Sequence, residues 1–130
     1  MTETFERRLP VYLLLDCSES MLGEAIQQVE EGVAALLAVL RSDPNALETV
    51  WISVITFSSR ATQIGPLTEV YRFAAPRLRP RPGTALGEAL TLLHDRLKTE
   101  VRSSSGTVKG DWRPLVFLLT DGSPTDRWED

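Results

Sequence analysis

Residues 10–20 have the sequence PVYLLLDCSES, and this stretch decides the fold. Residues 10–15 are apolar with no polar alternation, a pattern typical of a strand that is buried on both faces. Strands of this kind occur in parallel sheets that helices cover on both sides. The polar residues 16–20 end the strand abruptly, so we expect a loop at its carboxyl end.

Helical and strand-like patterns alternate along the rest of the chain. The predicted elements are a strand at 10–15, a helix at 21–40, a strand at 49–58, an edge strand at 60–67, a helix after Thr84, and a strand at 114–120. This order predicts an α/β fold with a doubly wound, mostly parallel sheet flanked by helices. The 130 residues amount to a single domain.

Composition and charge exclude several classes of protein. Hydrophobic residues make up 42% and charged residues 25%, which is ordinary for a globular chain and excludes a disordered or fibrous one. The formal charge of −4 gives no electrostatic argument for nucleic acid. No apolar run approaches the roughly 20 residues of a membrane-spanning helix, so we expect no membrane contact. A single cysteine, Cys17, cannot form an internal disulfide and favours a reducing, intracellular setting.

Polar side chains with oxygen donors follow the first and last predicted strands. Asp16, Ser18 and Ser20 come after the first strand, and Asp121 comes after the last one. If these strands are neighbours, their side chains converge, and Thr84 could add a hydroxyl from the start of a helix. Such an all-oxygen set suits Mg²⁺ or Mn²⁺.

A structural alternative stays open for each of these residues taken alone. Serine and threonine before a helix are common N-caps, so Ser20 and Thr84 could serve only to begin helices. The Asp-Gly-Ser segment that begins at Asp121 could be an ordinary turn. It is the joint occurrence at two strand ends that favours a metal site.

The DCSES segment resembles the D-x-S-x-S signature of von Willebrand factor type A domains, which begins their metal-ion-dependent adhesion site. Thr84, in PGTAL, and Asp121, in LLTDGSP, match the threonine and the second aspartate of that site. The resemblance covers residues 9–126 and implies a Rossmann-like fold. It also implies that Ser18, Ser20 and Thr84 bind the ion directly or nearly so, while Asp16 and Asp121 act mainly through metal-bound water.

Within this family, RRLPVYLLLDCSESM and LVFLLTDGSPTD resemble the bacterial tellurium-resistance TerY group. That finer resemblance implies a cytoplasmic protein that acts beside kinase-like and phosphatase-like partners in a stress response. The broader family resemblance also implies that residues 1–130 are the amino-terminal portion of a domain that has further strands and helices. The strand at 114–120 would then be an exposed sheet edge, covered by another chain, a second copy or residues beyond this sequence.

Two functions from different classes follow. The first is a metal-dependent protein-interaction module, not an enzyme, in which an open coordination position takes a partner's glutamate or aspartate. The second is a metal-dependent phosphohydrolase of haloacid-dehalogenase-like layout, in which the ion activates water on a phosphate. That layout needs a second aspartate where Ser18 stands, and a serine hydrolase would need a base where the chain offers only His94.

A proline-broken loop at 75–83 carries Arg77, Arg79 and Arg81. We expect a solvated loop that its prolines keep extended. The functional alternative is a rim that helps to select an acidic partner.

Overall fold

The computed structural model describes residues 7–104 and 110–120, except the side chain of Ser20. Its elements are β1 (Leu9–Asp16), a 3-10 turn (Glu19–Met21), α1 (Glu24–Ser42), α2 (Pro44–Thr49), β2 (Val50–Phe57), β3 (Ala61–Glu69), α3 (Leu86–Glu100) and β4 (Leu115–Leu119). The four strands form one sheet in the order β3-β2-β1-β4. β1 is parallel to β2 and to β4, and β3 is antiparallel to β2. The predicted mostly parallel α/β sheet is confirmed.

The central strand β1 explains why its sequence lacks polar alternation. Val11 and Leu13 belong to the apolar cluster that includes the buried face of α1. Tyr12 and Leu14 belong to a second cluster that includes the buried face of α3. Helices therefore cover both faces of this strand, and apolar side chains are favoured at every position.

The first helix begins later than predicted. α1 starts at Glu24 rather than at residue 21, because Gly23 has a φ of 85°, which no helical residue adopts. Leu22, which the periodicity placed on the core face of the helix, is 72% exposed. That expectation was wrong because Leu22 precedes the helix and does not follow its period.

The segment that follows α1 starts a second, short helix. The Asp43 side chain accepts hydrogen bonds from the backbone N–H groups of Asn45 and Ala46, at 2.9 and 3.4 Å. Pro44 occupies the first helical turn, where its missing N–H costs nothing. Asp43 and Pro44 thus end α1 and cap α2.

The third strand lies at one edge of the sheet, as its glycine and proline predicted. Its pairing with β2 is irregular between Ile52 and Val54, opposite the stretch that contains Gly65 and Pro66. Gly65 has a φ of 75°, and its carbonyl accepts a hydrogen bond from the Ser53 hydroxyl at 3.1 Å. The irregularity can be accommodated because, within the described part of the chain, the outer side of β3 has no partner strand.

The opposite edge of the sheet is β4. Each of its five residues, all apolar, is between 37% and 47% exposed, whereas Leu14 and Leu15 of neighbouring β1 are fully buried. The prediction that this strand is an exposed and very apolar edge is confirmed. Among the described residues, no helix combines the length and apolarity needed to cross a membrane.

Candidate metal centre

The candidate site lies at the carboxyl end of β1 and is centred on Asp16. This carboxylate is fully buried. One of its oxygens, Oδ1, accepts the backbone N–H of Ser18 at 2.8 Å, and Oδ2 accepts the hydroxyl of Thr120 at 2.5 Å. Ser18 itself is 3% exposed. A buried carboxylate held at both oxygens has one fixed orientation.

Backbone hydrogen bonds bring Thr84 to the same edge of the sheet. The N–H of Cys17 donates to the carbonyl of Phe57 at 2.8 Å, which joins the ends of β1 and β2. The N–H of Ala85 donates to the carbonyl of Ser58 at 2.6 Å, which fixes the loop before α3 against the end of β2. Thr84, which directly precedes Ala85, is buried. Asp16 and Thr84, 68 positions apart in sequence, therefore lie at the same edge of the sheet, because the loops that carry them are both tied to the end of β2.

The approach of this loop requires glycine at position 83. Gly83 has a φ of 92°, in the region that residues with a Cβ rarely adopt. A Cβ at this position would lie 2.7 Å from the Cα of Ser59, closer than any real contact. Gly83 thus allows the chain to pass over the β2–β3 turn and to place Thr84 at the site.

The long loop between β3 and α3 is anchored to α1 and β1. Arg41 donates to the carbonyl oxygens of Val70, at 3.0 Å, and of Phe73. The N–H of Leu78 donates to the Glu30 carboxylate at 2.7 Å. Further along the loop, Arg81 and Ser18 form an isolated parallel β-bridge beside the site. These contacts hold a segment without regular secondary structure in one path.

The structure brings three of the five predicted ligands, Asp16, Ser18 and Thr84, to one sheet edge. The other two cannot be placed, because Asp121 and the side chain of Ser20 lie outside the described residues. The N-cap positions of α1 and α3 are occupied by Gly23 and Ala85, which follow Ser20 and Thr84 in the sequence.

The donor chemistry fits a hard divalent cation. Asp16, Ser18 and Thr84 offer oxygen atoms only, which Mg²⁺ and Mn²⁺ prefer. Within residues 7–104 and 110–120, no three histidine, cysteine, aspartate or glutamate side chains are grouped as a metal site would require. Because both oxygens of Asp16 already accept hydrogen bonds, this carboxylate suits a role through metal-bound water.

Cys17 lies inside the motif but is unsuited to bind a metal at neutral pH. Its side chain is buried, as the sequence predicted. Burial, with the nearby negative charges of Asp16 and Glu30, raises the pKa of the thiol to about 11. The thiolate that a metal would need is therefore scarce at pH 7.

The groups that a hydrolase would need are not assembled among the described residues. His94 is exposed on α3, and Ser18 occupies the position where a haloacid-dehalogenase-type phosphatase has its acidic catalyst. Asp16 is thus the one described carboxylate among the predicted ligands. The phosphohydrolase alternative gains no support from this arrangement.

Sequence reasoning missed one member of the site, Thr120. Its hydroxyl holds Asp16 from the neighbouring strand β4, across 104 residues of sequence. The sequence does show a hydroxyl residue at the carboxyl end of the last apolar strand, directly before Asp121. That signal becomes meaningful only once β1 and β4 are known to be neighbours.

The chain belongs to the von Willebrand factor type A domain family, whose family model matches residues 11–123. Domains of this family generally mediate protein–protein interactions rather than catalysis, and many do so through a metal ion at this sheet edge. No match was found among curated proteins.

Solved structures share the fold at low sequence identity. The ArnB paralog VWA2 from Sulfolobus acidocaldarius is 19% identical with a TM-score of 0.64, over 93% of this chain and 29% of that one. The pilus adhesin SpaC from Lactobacillus rhamnosus GG is 21% identical with a TM-score of 0.73, over 95% of this chain and 16% of the adhesin. Proximal thread matrix protein 1 from the mussel byssus, solved with a zinc-occupied MIDAS motif, is 17% identical with a TM-score of 0.54, over 92% and 30%. The present chain thus spans less than a third of each of these proteins.

Proposed function

We propose that this chain is a metal-dependent protein-interaction module. A Mg²⁺ or Mn²⁺ ion at the carboxyl end of β1 would be held by Ser18, Ser20 and Thr84, with Asp16 and Asp121 acting through water. One observation carries the proposal. Asp16 is fully buried with both oxygens fixed, at a sheet edge that also carries the buried hydroxyl residues Ser18 and Thr84.

The charges of these residues explain why a partner's carboxylate would bind. When bound, the ion supplies a positive charge and a coordination position for an anionic ligand. Ser18, Ser20 and Thr84 are neutral, and the aspartates act at a distance through water, so the ion keeps much of its charge. An acidic side chain of a partner protein completes the coordination and makes a strong, charge-assisted contact. We propose no catalytic role, since the described site contains no general base or acid beside Asp16.

Divalent-ion binding by the isolated chain tests the assignment of the ligands. Calorimetry with Mn²⁺ and Mg²⁺ should show weak binding that Ser18→Ala and Asp121→Ala each reduce strongly. Ser42→Ala is the matched control, because its hydroxyl donates to the carbonyl of Val39 in the exposed last turn of α1. Unchanged binding in both site variants would mean that these residues are only structural.

Metal removal tests the proposed role of the ion in binding rather than folding. The two apolar clusters are built from strands and helices, so EDTA should leave the far-UV circular dichroism nearly unchanged. EDTA should abolish capture of an acidic protein partner, and added Mg²⁺ should restore it. Loss of secondary structure with EDTA would show a structural ion. Phosphoester turnover that Asp16→Ala abolishes would favour the hydrolase instead.

We further propose a cytoplasmic role beside kinase-like and phosphatase-like partners in tellurium or stress resistance. The support is the resemblance of the segments around Asp16 and Asp121 to the TerY group. A strain that lacks the gene should become sensitive to tellurite, and the wild-type gene should restore growth while Ser18→Ala should not. Equal tellurite tolerance in all three strains would refute this placement.

We also propose that β4 pairs with β4 of a second copy. The support is an edge of five exposed apolar residues, which is a template for strand pairing. Antiparallel pairing of identical edges is self-complementary, as a two-fold symmetric dimer requires.

A further inference from the structure

Three arginines in the loop before α3 point away from the core with a regular spacing. Arg77, Arg79 and Arg81 are exposed, whereas Leu78 between the first two is buried in the cluster under α1. This alternation is that of an extended chain, in which every second side chain lies on the same side, about 6–7 Å from the next. The loop therefore carries three exposed arginines at alternate positions, which we call the arginine row.

Backbone contacts on either side hold this row in place. The N–H of Leu78 donates to Glu30 of α1 at 2.7 Å, and the N–H of Arg81 donates to the carbonyl of Cys17 at 2.7 Å. Both contacts use the backbone of the loop, so the arginine side chains are not needed to keep it there. The loop backbone is therefore ordered before a ligand binds to the row, and this lowers the entropic cost of binding.

The arginine row lines a cavity of about 320 Å³. Of the described residues that line this cavity, four are arginines and none is acidic; the fourth is Arg60, at the β2–β3 turn. None of Arg77, Arg79 and Arg81 forms an ion pair with a residue in 7–104 or 110–120. Arg60 pairs with Glu88, but its side chain is 82% exposed, so that pair offsets little of the charge. The chain as a whole carries a charge of −4, so this positive cavity is a local feature.

The cavity adjoins the candidate metal centre. Cys17, which lines the cavity, stands between Asp16 and Ser18. Residue 81 of the arginine row also bridges to Ser18 through the backbone. A ligand that reaches the sheet edge at Ser18 would therefore continue directly onto the row.

We propose that this arginine cavity is a second binding subsite, for an acidic peptide segment of the partner whose carboxylate binds the metal centre. The inference rests on the proposed function. It adds that the partner carries several acidic residues in an extended segment, at alternate positions that match the spacing of Arg77, Arg79 and Arg81. An acidic peptide is favoured over nucleic acid because the adjoining site takes a carboxylate and because the basic area is confined to one small cavity.

The experiment measures binding of a fluorescent peptide, Glu-Gly-Glu-Gly-Glu-Gly-Glu, to the full chain with Mg²⁺ and with EDTA. The test variant is Arg77→Gln/Arg79→Gln/Arg81→Gln. The control variant, Arg72→Gln/Lys98→Gln/Arg113→Gln, removes the same charge from exposed positions that do not line the cavity. We expect the test variant to weaken binding on the order of tenfold and to flatten its salt dependence, and the control to weaken it less than about twofold.

The two metal conditions separate this inference from the proposed function. The effect of the arginine substitutions should persist in EDTA, where wild-type binding is weaker but salt-sensitive. If EDTA leaves wild-type binding unchanged while the arginine substitutions still weaken it, that result would refute the metal-dependent function and support the arginine subsite. If EDTA weakens binding but the test and control variants behave alike, the subsite is overturned. Tighter binding of a twelve-nucleotide single-stranded DNA than of the peptide would also overturn it.

Discussion

The hydroxyl of Thr120 donates to the Asp16 carboxylate across the β1–β4 strand pair, with 2.5 Å between the two oxygens. This contact ties the end of the exposed edge strand to the centre of the candidate metal site. Any change in the position of β4 is therefore transmitted directly to the buried carboxylate.

Thr120→Val should weaken divalent-ion binding, because Asp16 loses the donor that fixes one of its oxygens. We expect the Kd for Mn²⁺ to rise about tenfold and the free energy of unfolding to fall by about 1 kcal/mol. Calorimetry and urea unfolding measure the two effects. Thr91→Val is the control, since that hydroxyl bonds only within the exposed face of α3. A loss of stability with unchanged Mn²⁺ affinity would reduce Thr120 to a purely structural role.

Gly83→Ala should destabilise the loop that carries Thr84. The new Cβ would collide with the backbone of Ser59, and the φ of 92° is unfavourable for alanine. We expect a loss of about 1–3 kcal/mol in the free energy of unfolding, together with weaker Mn²⁺ binding. Gly32→Ala is the matched control, because that glycine lies within α1 with no atom near its added Cβ. It should stabilise the protein by about 0.5–1 kcal/mol. Equal effects of the two substitutions would contradict the role given to Gly83.

Arg8 and Asp111 form an ion pair near the start of β1, with side chains 10% and 2% exposed. Two nitrogens of Arg8 donate to the two oxygens of Asp111, at 2.8 and 2.6 Å. Arg8→Met should cost about 3–5 kcal/mol, because it leaves a buried carboxylate without its partner. Arg8→Met/Asp111→Leu should recover much of that loss. If the double variant is as unstable as Arg8→Met, the lost ion pair does not cause the instability of Arg8→Met.

The same pair makes stability depend on pH in the acidic range. Burial by itself would raise the pKa of Asp111, but hydrogen bonds from Arg8 and from the N–H of Arg102 outweigh it and lower that pKa. Since the folded pKa is below the unfolded one, the stabilisation is present above about pH 4 and is lost as pH falls through the lowered value. Urea unfolding between pH 7 and pH 2.5 should show this loss, and Asp111→Asn should reduce it. If the free energy of unfolding of Asp111→Asn depends on pH as that of the wild type does, other carboxylates cause the loss of stability at low pH.

The free edge of β4 should make the chain self-associate. Light scattering should find a dimer, and Val116→Lys/Leu118→Lys should convert it to a monomer, because charges on an edge oppose strand pairing. Val39→Lys is the control, since Val39 is 64% exposed on α1, away from the edge strand. A stable wild-type monomer at high concentration, with slowly exchanging amides at Val116 and Leu118, would refute the pairing.

The local sequence was sufficient to predict most elements of the fold, and it is the basis of the proposed metal site. The apolar run of β1 and the periodicity of α3 predicted which residues are buried, because alternation and helical spacing reflect the faces of single elements. One boundary was misjudged and one short helix was missed, in each case where a single residue outweighs a pattern. Gly23 delays α1 by its positive φ, and Asp43 caps α2, a short helix that the sequence analysis did not predict.

The tertiary structure alone decided which distant residues meet. The contact of Thr120 with Asp16 depends on β4 lying beside β1, and the place of the arginine row depends on backbone contacts to Glu30 and Cys17. These pairs are separated by dozens of residues, and no periodicity relates their positions. Sequence patterns specify the faces of individual strands and helices, whereas side-chain contacts across the sheet follow from strand order and loop path, which only the packed structure fixes.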